Sequence, residues 1–184
     1  ILREEVSLPA AVLRRSALLH NLEWMRRFTA AYGVQLAPHG KTTMSPALFH
    51  MQLDAGAWGI TLATAPQTVA AFEHGVRRVL LANQLVGKGN FDLIADLQAS
   101  DAGFWFACVV DSADNVAALG RHFTARGQCI KVLLEIGIEG GRTGVRDAAQ
   151  ARAVLEEIAR WPGAVALAGV EVYEGVAKDE AGVR

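Results

Sequence analysis

The chain has 184 residues, 52% of them hydrophobic and 20% charged, and its 18 Lys and Arg against 19 Asp and Glu leave a formal net charge of -1. That is room for one well-packed α/β core, and the near-neutral balance excludes a basic nucleic-acid surface or an acidic tail. No apolar stretch is long enough to span a bilayer and Ile1-Leu2-Arg3-Glu4-Glu5 does not read as a signal peptide, so a soluble, cytoplasmic protein with no membrane or nucleic-acid partner is expected.

Taken in chain order, Leu18, Leu19, Leu22, Met25 and Phe28 recur at near-helical spacing and predict a helix over residues 16–32. A short apolar run at 34–37 reads as a first strand. Ser45-Pro46 is a good helix opening, with Ser at the N-cap and Pro at the first helical position, where its missing N–H costs nothing. Further strands are predicted at 58–63, 78–82, 104–110, 130–136 and 165–173. The intervening helices are predicted at 46–55, 66–74, 91–98, 112–125 and 148–160. Thr64-Ala65-Pro66-Gln67 has capping-box spacing, and Asp111 or Ser112 and Asp147 are credible N-caps.

The strands are continuous apolar runs such as Val132-Leu133-Leu134 rather than alternating ones, which indicates parallel strands buried on both faces. About six βα units in series suggest the N-terminal part of a (β/α)8 TIM-type barrel, which ordinarily takes about 250 residues. An open doubly wound sheet is the alternative, but no Gly-x-Gly-x-x-Gly follows a strand. Gly137-Ile138-Glu139-Gly140-Gly141 lacks the ending of a phosphate loop and, by residue content, reads as a turn. Cys108 and Cys129 lie in apolar runs without Cys-x-x-Cys spacing, so both are expected to be buried free thiols.

Barrels of this kind place their chemistry at the carboxyl ends of the strands. The polar candidates there are His39 and Lys41, Thr61 and Thr64, Asn83 and Gln84, Asp111, Arg142, and Glu171 with Tyr173. Lys41 projects from a strand-to-helix loop. By residue type it is either a solvated loop lysine or, if its amine is held neutral, a Schiff-base nucleophile. His39 shares a strand face with it at a spacing of two. His20, His50, His74 and His122 fall in helices or at their ends without metal-ligand spacing, and all read as structural.

Pro38-His39-Gly40-Lys41-Thr42 resembles the cofactor-lysine segment of the D-threonine aldolase and D-serine dehydratase group, pyridoxal-phosphate enzymes on an alanine-racemase-like barrel. The run from His39 to Pro46 is most similar to that of bacterial amino acid or D-serine deaminases. Many aldolases and eukaryotic dehydratases have Lys-Thr-His-Lys where this chain reads Lys41-Thr42-Thr43-Met44, and that departure favours the deaminase branch.

The resemblance implies that Lys41 is the catalytic lysine that bonds pyridoxal 5'-phosphate. Gly140-Gly141-Arg142-Thr143-Gly144-Val145 is similar to an Arg-x-Gly-hydrophobic element whose arginine faces the cofactor's phenolic oxygen; otherwise Arg142 is a surface arginine beside a turn. Gly169-Val170-Glu171-Val172-Tyr173-Glu174-Gly175 is similar to a Gly-hydrophobic-Gln-x-Tyr-x-Gly pattern, with Glu171 in place of the usual glutamine. Tyr173 is then either set against the cofactor or a core tyrosine. His39 either orients the cofactor or caps its loop.

The activity so implied is a lyase reaction on D-serine or a related D-hydroxy amino acid, giving pyruvate and ammonia. D-threonine aldolase, an amino acid racemase and a non-catalytic pyridoxal-phosphate carrier are the alternatives. Family members pair a complete barrel with a C-terminal β-domain, so this chain is expected to be a partial barrel domain over 1–184. The remaining barrel units, with their phosphate loops, and the β-domain, with ligands for a zinc ion, are expected to lie outside it. A homodimer is expected for the full-length protein.

Overall fold

The computed structural model describes residues 7–175, and the segment Ile1–Glu5 read above lies outside them. Strands and helices alternate as the apolar runs require. The helices are α1 (Arg15–Tyr32), α2 (Pro46–Asp54), α3 (Ala65–Glu73), α4 (Lys88–Ser100), α5 (Ala113–Arg126) and α6 (Ala148–Ala159). The strands are β1 (Ile60–Leu62), β2 (Arg78–Gln84), β3 (Trp105–Val110), β4 (Ile130–Ile136) and β5 (Val165–Val172). Among the described residues no helix is long and apolar enough to cross a membrane.

All strand pairs are parallel, and the order β1-β2-β3-β4-β5 follows the chain without reversal. A doubly wound sheet would reverse direction at a switch point, whereas a barrel adds each strand beside the last. The order therefore decides for the barrel-type arrangement. β3 lies at the centre and is buried almost throughout. Phe49, Phe106, Phe123, Ile94 and Leu119 fill the space between sheet and helices, each at 1% exposure or less. β5 at one end is largely exposed, and α1 at the other end has no buried residue and stacks Trp24, Phe28 and Tyr32 along one side.

The first predicted strand is the main departure. Residues 34–37 form no ladder. The chain instead lies beside β1 through Trp58 N–H to Leu36 C=O (2.7 Å), Thr61 N–H to Pro38 C=O (2.9 Å) and Gly40 N–H to Thr61 C=O (2.8 Å), with a single parallel bridge between His39 and Thr61. Pro38 has no N–H to give, so a regular ladder cannot run through it. Five laddered strands plus this tethered segment take the place of the six strands expected.

The N-caps agree in part. Thr64, Ser112 and Asp147 accept backbone N–H groups from Gln67 (3.3 Å), Asn115 (3.3 Å) and Gln150 (2.8 Å). Ser45 holds the N-cap position of α2, but its hydroxyl makes no capping bond. Cys108 is buried, and burial pushes its thiol up to about 12. Cys129 is exposed, contrary to the expectation of two buried thiols. It sits in the short surface connection between the left-handed Gly127 that ends α5 and the first residue of β4, and connections of this kind run over the surface.

Candidate active site

A cleft of about 560 Å³ opens at the carboxyl ends of the strands, within the size range of small-molecule sites. Its wall includes His39, Lys41, Glu135, Arg142, Glu171 and Tyr173. With Ala82 of β2, residues from four separate stretches of sequence meet there, and the four expected cofactor contacts, Lys41, His39, Arg142 and Tyr173, are all among them.

Lys41 is presented by a tight turn. Met44 N–H donates to Gly40 C=O (2.9 Å), and Met44 takes a positive φ of 43°, unusual for a side chain of its size. The Met44 side chain packs against the core and anchors the turn from below. From the far side, Gln67 Oε1 accepts from Ala63 N–H (3.0 Å) while its Nε2 donates to Lys41 C=O (3.3 Å). Gly40 must lack a side chain, because a Cβ there would fall 2.4 Å from Phe49 Cε1. Lys41 itself is exposed into the cleft. His39 precedes it, and loss of solvent around the ring, followed by the Lys41 ammonium, pushes its imidazole below the ordinary value of 6.5. His39 is therefore neutral at pH 7.

Glu135 was not among the residues singled out from sequence, yet it forms the base of this wall. It is only 8% exposed and accepts from Thr143 Oγ1 (2.5 Å) and Gln84 Nε2 (3.1 Å). A buried carboxylate needs such donors. The signal was available, since an acidic residue inside Val132-Leu133-Leu134-Glu135-Ile136 breaks an otherwise apolar run. Glu171 stands directly opposite it in the β4–β5 register. Burial, then the charges of Glu135 and Glu174, raise the Glu171 carboxyl above its ordinary value.

Arg142 lies in the loop between β4 and α6, exposed on the cleft. Tyr173 follows β5 and is exposed beside the cleft. The remaining strand-end candidates serve the scaffold. Thr61 Oγ1 donates to Ala37 C=O (2.7 Å), Thr64 caps α3, Asn83 Nδ2 donates to Ala63 C=O (3.4 Å), and Asp111 accepts from Gly144 N–H (2.8 Å). Gln84 supports Glu135. Among the described residues no three His, Cys, Asp or Glu side chains gather as a metal would need. His20, His50 and His122 lie in α1, α2 and α5, and His74 ends α3.

The family described as alanine racemase, N-terminal domain, matches residues 13–183. A D-threonine aldolase of Arthrobacter sp. is 28% identical over 170 residues, covering 92% of this chain and 44% of the relative. A D-threo-3-hydroxyaspartate dehydratase of Delftia sp. (strain HT23) is 34% identical over 140 residues, covering 74% and 35%. The crystal structure of a D-threonine aldolase from Filomicrobium marinum superposes with a TM-score of 0.81 at 29% identity, over 90% of this chain and 43% of that one. The chain thus spans less than half the length of each of these three relatives.

Proposed function

The chain belongs to the alanine racemase N-terminal domain family, and on that premise we propose that it is the N-terminal part of a pyridoxal-phosphate-dependent lyase acting on a D-configured hydroxy amino acid, with D-serine as the substrate and pyruvate and ammonia as products. The observation that carries the proposal is the meeting of Lys41, Arg142, Tyr173 and His39 on one cleft at the strand carboxyl ends. That donor set suits the cofactor: an amine for its aldehyde, a guanidinium for its phenolic oxygen and an aromatic ring for its face.

When bound, the cofactor supplies an aldehyde for amine exchange and a pyridine ring that delocalises the electron pair left at Cα when a bond there breaks. Lys41 would supply the amine that holds it and, when free, would take the proton from Cα. Arg142, whose guanidinium donates in a fixed fork, would hold the phenolic oxygen as its anion. Tyr173 would offer its ring to the cofactor and its hydroxyl to a polar partner. Neutral His39 leaves Lys41 without a second cation beside it. The net change for D-serine is loss of the Cα proton and the β-hydroxyl as water, followed by hydrolysis of the enamine product.

Two features support a substrate with a small uncharged hydroxymethyl group. Glu135 and Glu171 face the cleft together, so a second carboxylate on the substrate meets like charge. Thr43-Met44 replaces the His-Lys of many aldolases, and the turn it forms sets the position of Lys41. Both elimination and aldol cleavage depend on which Cα bond aligns with the ring, a matter of small displacements. A zinc ion assisting departure of the hydroxyl would draw on ligands outside the described residues, among which no three His, Cys, Asp or Glu side chains gather.

Side-by-side assays of full-length protein on D-serine, D-threonine, D-threo-3-hydroxyaspartate and the L-enantiomers test this. Pyruvate from D-serine should dominate. Dominant glycine from D-threonine moves the assignment to an aldolase, and interconversion of enantiomers without breakdown moves it to a racemase.

A further inference from the structure

The loop of residues 137–146 joins β4 to α6 and carries Arg142, yet its many glycines leave it little intrinsic rigidity. Its stem is tied by Val145 N–H to Glu135 C=O (2.8 Å) and Gly137 N–H to Val145 C=O (2.9 Å). Asp111 takes Gly144 N–H, and Glu135 takes the Thr143 hydroxyl. At the tip, Gly141 N–H closes a turn onto Ile138 C=O (2.9 Å), but no backbone bond ties that turn to the stem.

One side chain makes that link. The Arg146 guanidinium donates through Nη2 to Gly141 C=O (2.6 Å) and through Nη1 to Thr143 C=O (2.5 Å) and Gly144 C=O. The carbonyls on both sides of Arg142 are therefore held by the same planar group. The peptide that enters Arg142 and the two that follow Thr143 are thereby tied to one group, which restricts the direction in which the Arg142 side chain leaves the backbone. The guanidinium fills the inside of the loop so closely that a Cβ at Gly137 would overlap Arg146 Nη1 and lie 2.3 Å from Thr143 O. The base of Arg146 is itself anchored, its N–H donating to Gln150 Oε1 (2.8 Å) at the start of α6.

We propose that Arg146 is a positioning residue for the cofactor cleft: its guanidinium, bonded to the Gly141, Thr143 and Gly144 carbonyls, holds the loop in the shape that aims Arg142 at the cofactor's phenolic oxygen. This rests on the reading of Arg142 given above. A lysine cannot do the same work, because one ammonium has no fork to span carbonyls on both sides of Arg142.

The test uses full-length protein with Arg146→Met, Arg146→Lys, Arg142→Ala and the Arg142→Ala/Arg146→Met double variant. Two quantities are read: backbone hydrogen exchange over 137–145 without cofactor, and pyridoxal-phosphate affinity by absorbance titration. Arg146→Met should speed exchange in the loop by roughly tenfold or more while β1 to β3 stay unchanged, and should weaken cofactor binding by about tenfold. Arg146→Lys should fall between it and wild type. The double variant should bind the cofactor no more weakly than Arg142→Ala alone, because Arg146 acts through Arg142. Additive losses in the double variant, or unchanged loop exchange in Arg146→Met, would overturn the proposal. If Arg142→Ala binds the cofactor as wild type does, the placement of Arg142 fails and the role of Arg146 falls with it. If Arg142→Ala is weakened and Arg146→Met is not, only the positioning role fails.

Discussion

Gly40 sits between the lysine turn and the core, and Gly40→Ala is the smallest change that tests whether the two are mechanically joined. An added methyl would lie 2.4 and 2.9 Å from Cε1 and Cζ of Phe49 and 2.8 Å from Cγ2 of Ile60. Ordinary carbon contacts are about 3.5–4.0 Å, so the ring or the strand must move by roughly an ångström. Neither is free to do so, since Phe49 is 1% exposed and Ile60 is fully buried. Overpacking of this kind costs about 1–3 kcal/mol. If the chain yields instead of the ring, the Gly40–Thr61 bond and the Met44–Gly40 bond that shape the turn are displaced, and Lys41 moves with them. Urea denaturation of cofactor-free full-length protein should therefore show a loss of about 1–3 kcal/mol, and pyridoxal-phosphate binding should weaken in parallel. Gly89→Ala in α4 is the control. Its Cβ meets nothing within 4 Å, so it should be neutral or stabilising by up to about 1 kcal/mol. A Gly40→Ala protein within roughly 0.5 kcal/mol of wild type and with unchanged cofactor affinity would refute the coupling.

Two further outcomes follow from titrating groups. The raised Glu171 carboxyl contributes stability that is fully present below the ordinary value of 4.5 and is lost as pH rises through its folded value. Glu171→Gln, which stays uncharged, should thus gain stability over wild type between pH 4 and pH 7, and parallel stability profiles across that range would contradict the shift. Alkylation under native conditions should label exposed Cys129 and spare Cys108, whose thiol is buried and held near 12, until the protein unfolds. Equal native labelling of both thiols would show that β3 opens readily.

Much of this architecture was legible in the chain because its signals are local. The apolar run Ile130–Ile136 is a strand over the same residues that its composition picks out, and Thr64, Ser112 and Asp147 cap the helices their spacing announces. The lysine segment also reads locally, since Ser45-Pro46 opens α2 immediately after it. What stayed hidden depends on partners far apart in sequence. Glu135 looks like an intrusion in a strand until Gln84, from β2, and Thr143, from the following loop, supply its donors. Asp111 reads as a possible cap, yet Ser112 takes that role and Asp111 instead holds Gly144, 33 residues away. The first strand failed for a local reason that apolar content masked, the missing N–H of Pro38.

Lys41 as the residue that bonds the cofactor is tested most directly by covalent trapping, without recourse to activity. Full-length protein loaded with pyridoxal phosphate should be reduced with borohydride, digested and mapped by mass spectrometry. A pyridoxyl group is expected on Lys41, and on no lysine in the Lys41→Ala variant. Label on Lys88 or Lys131 in the wild type, or none at all on folded protein, would contradict it.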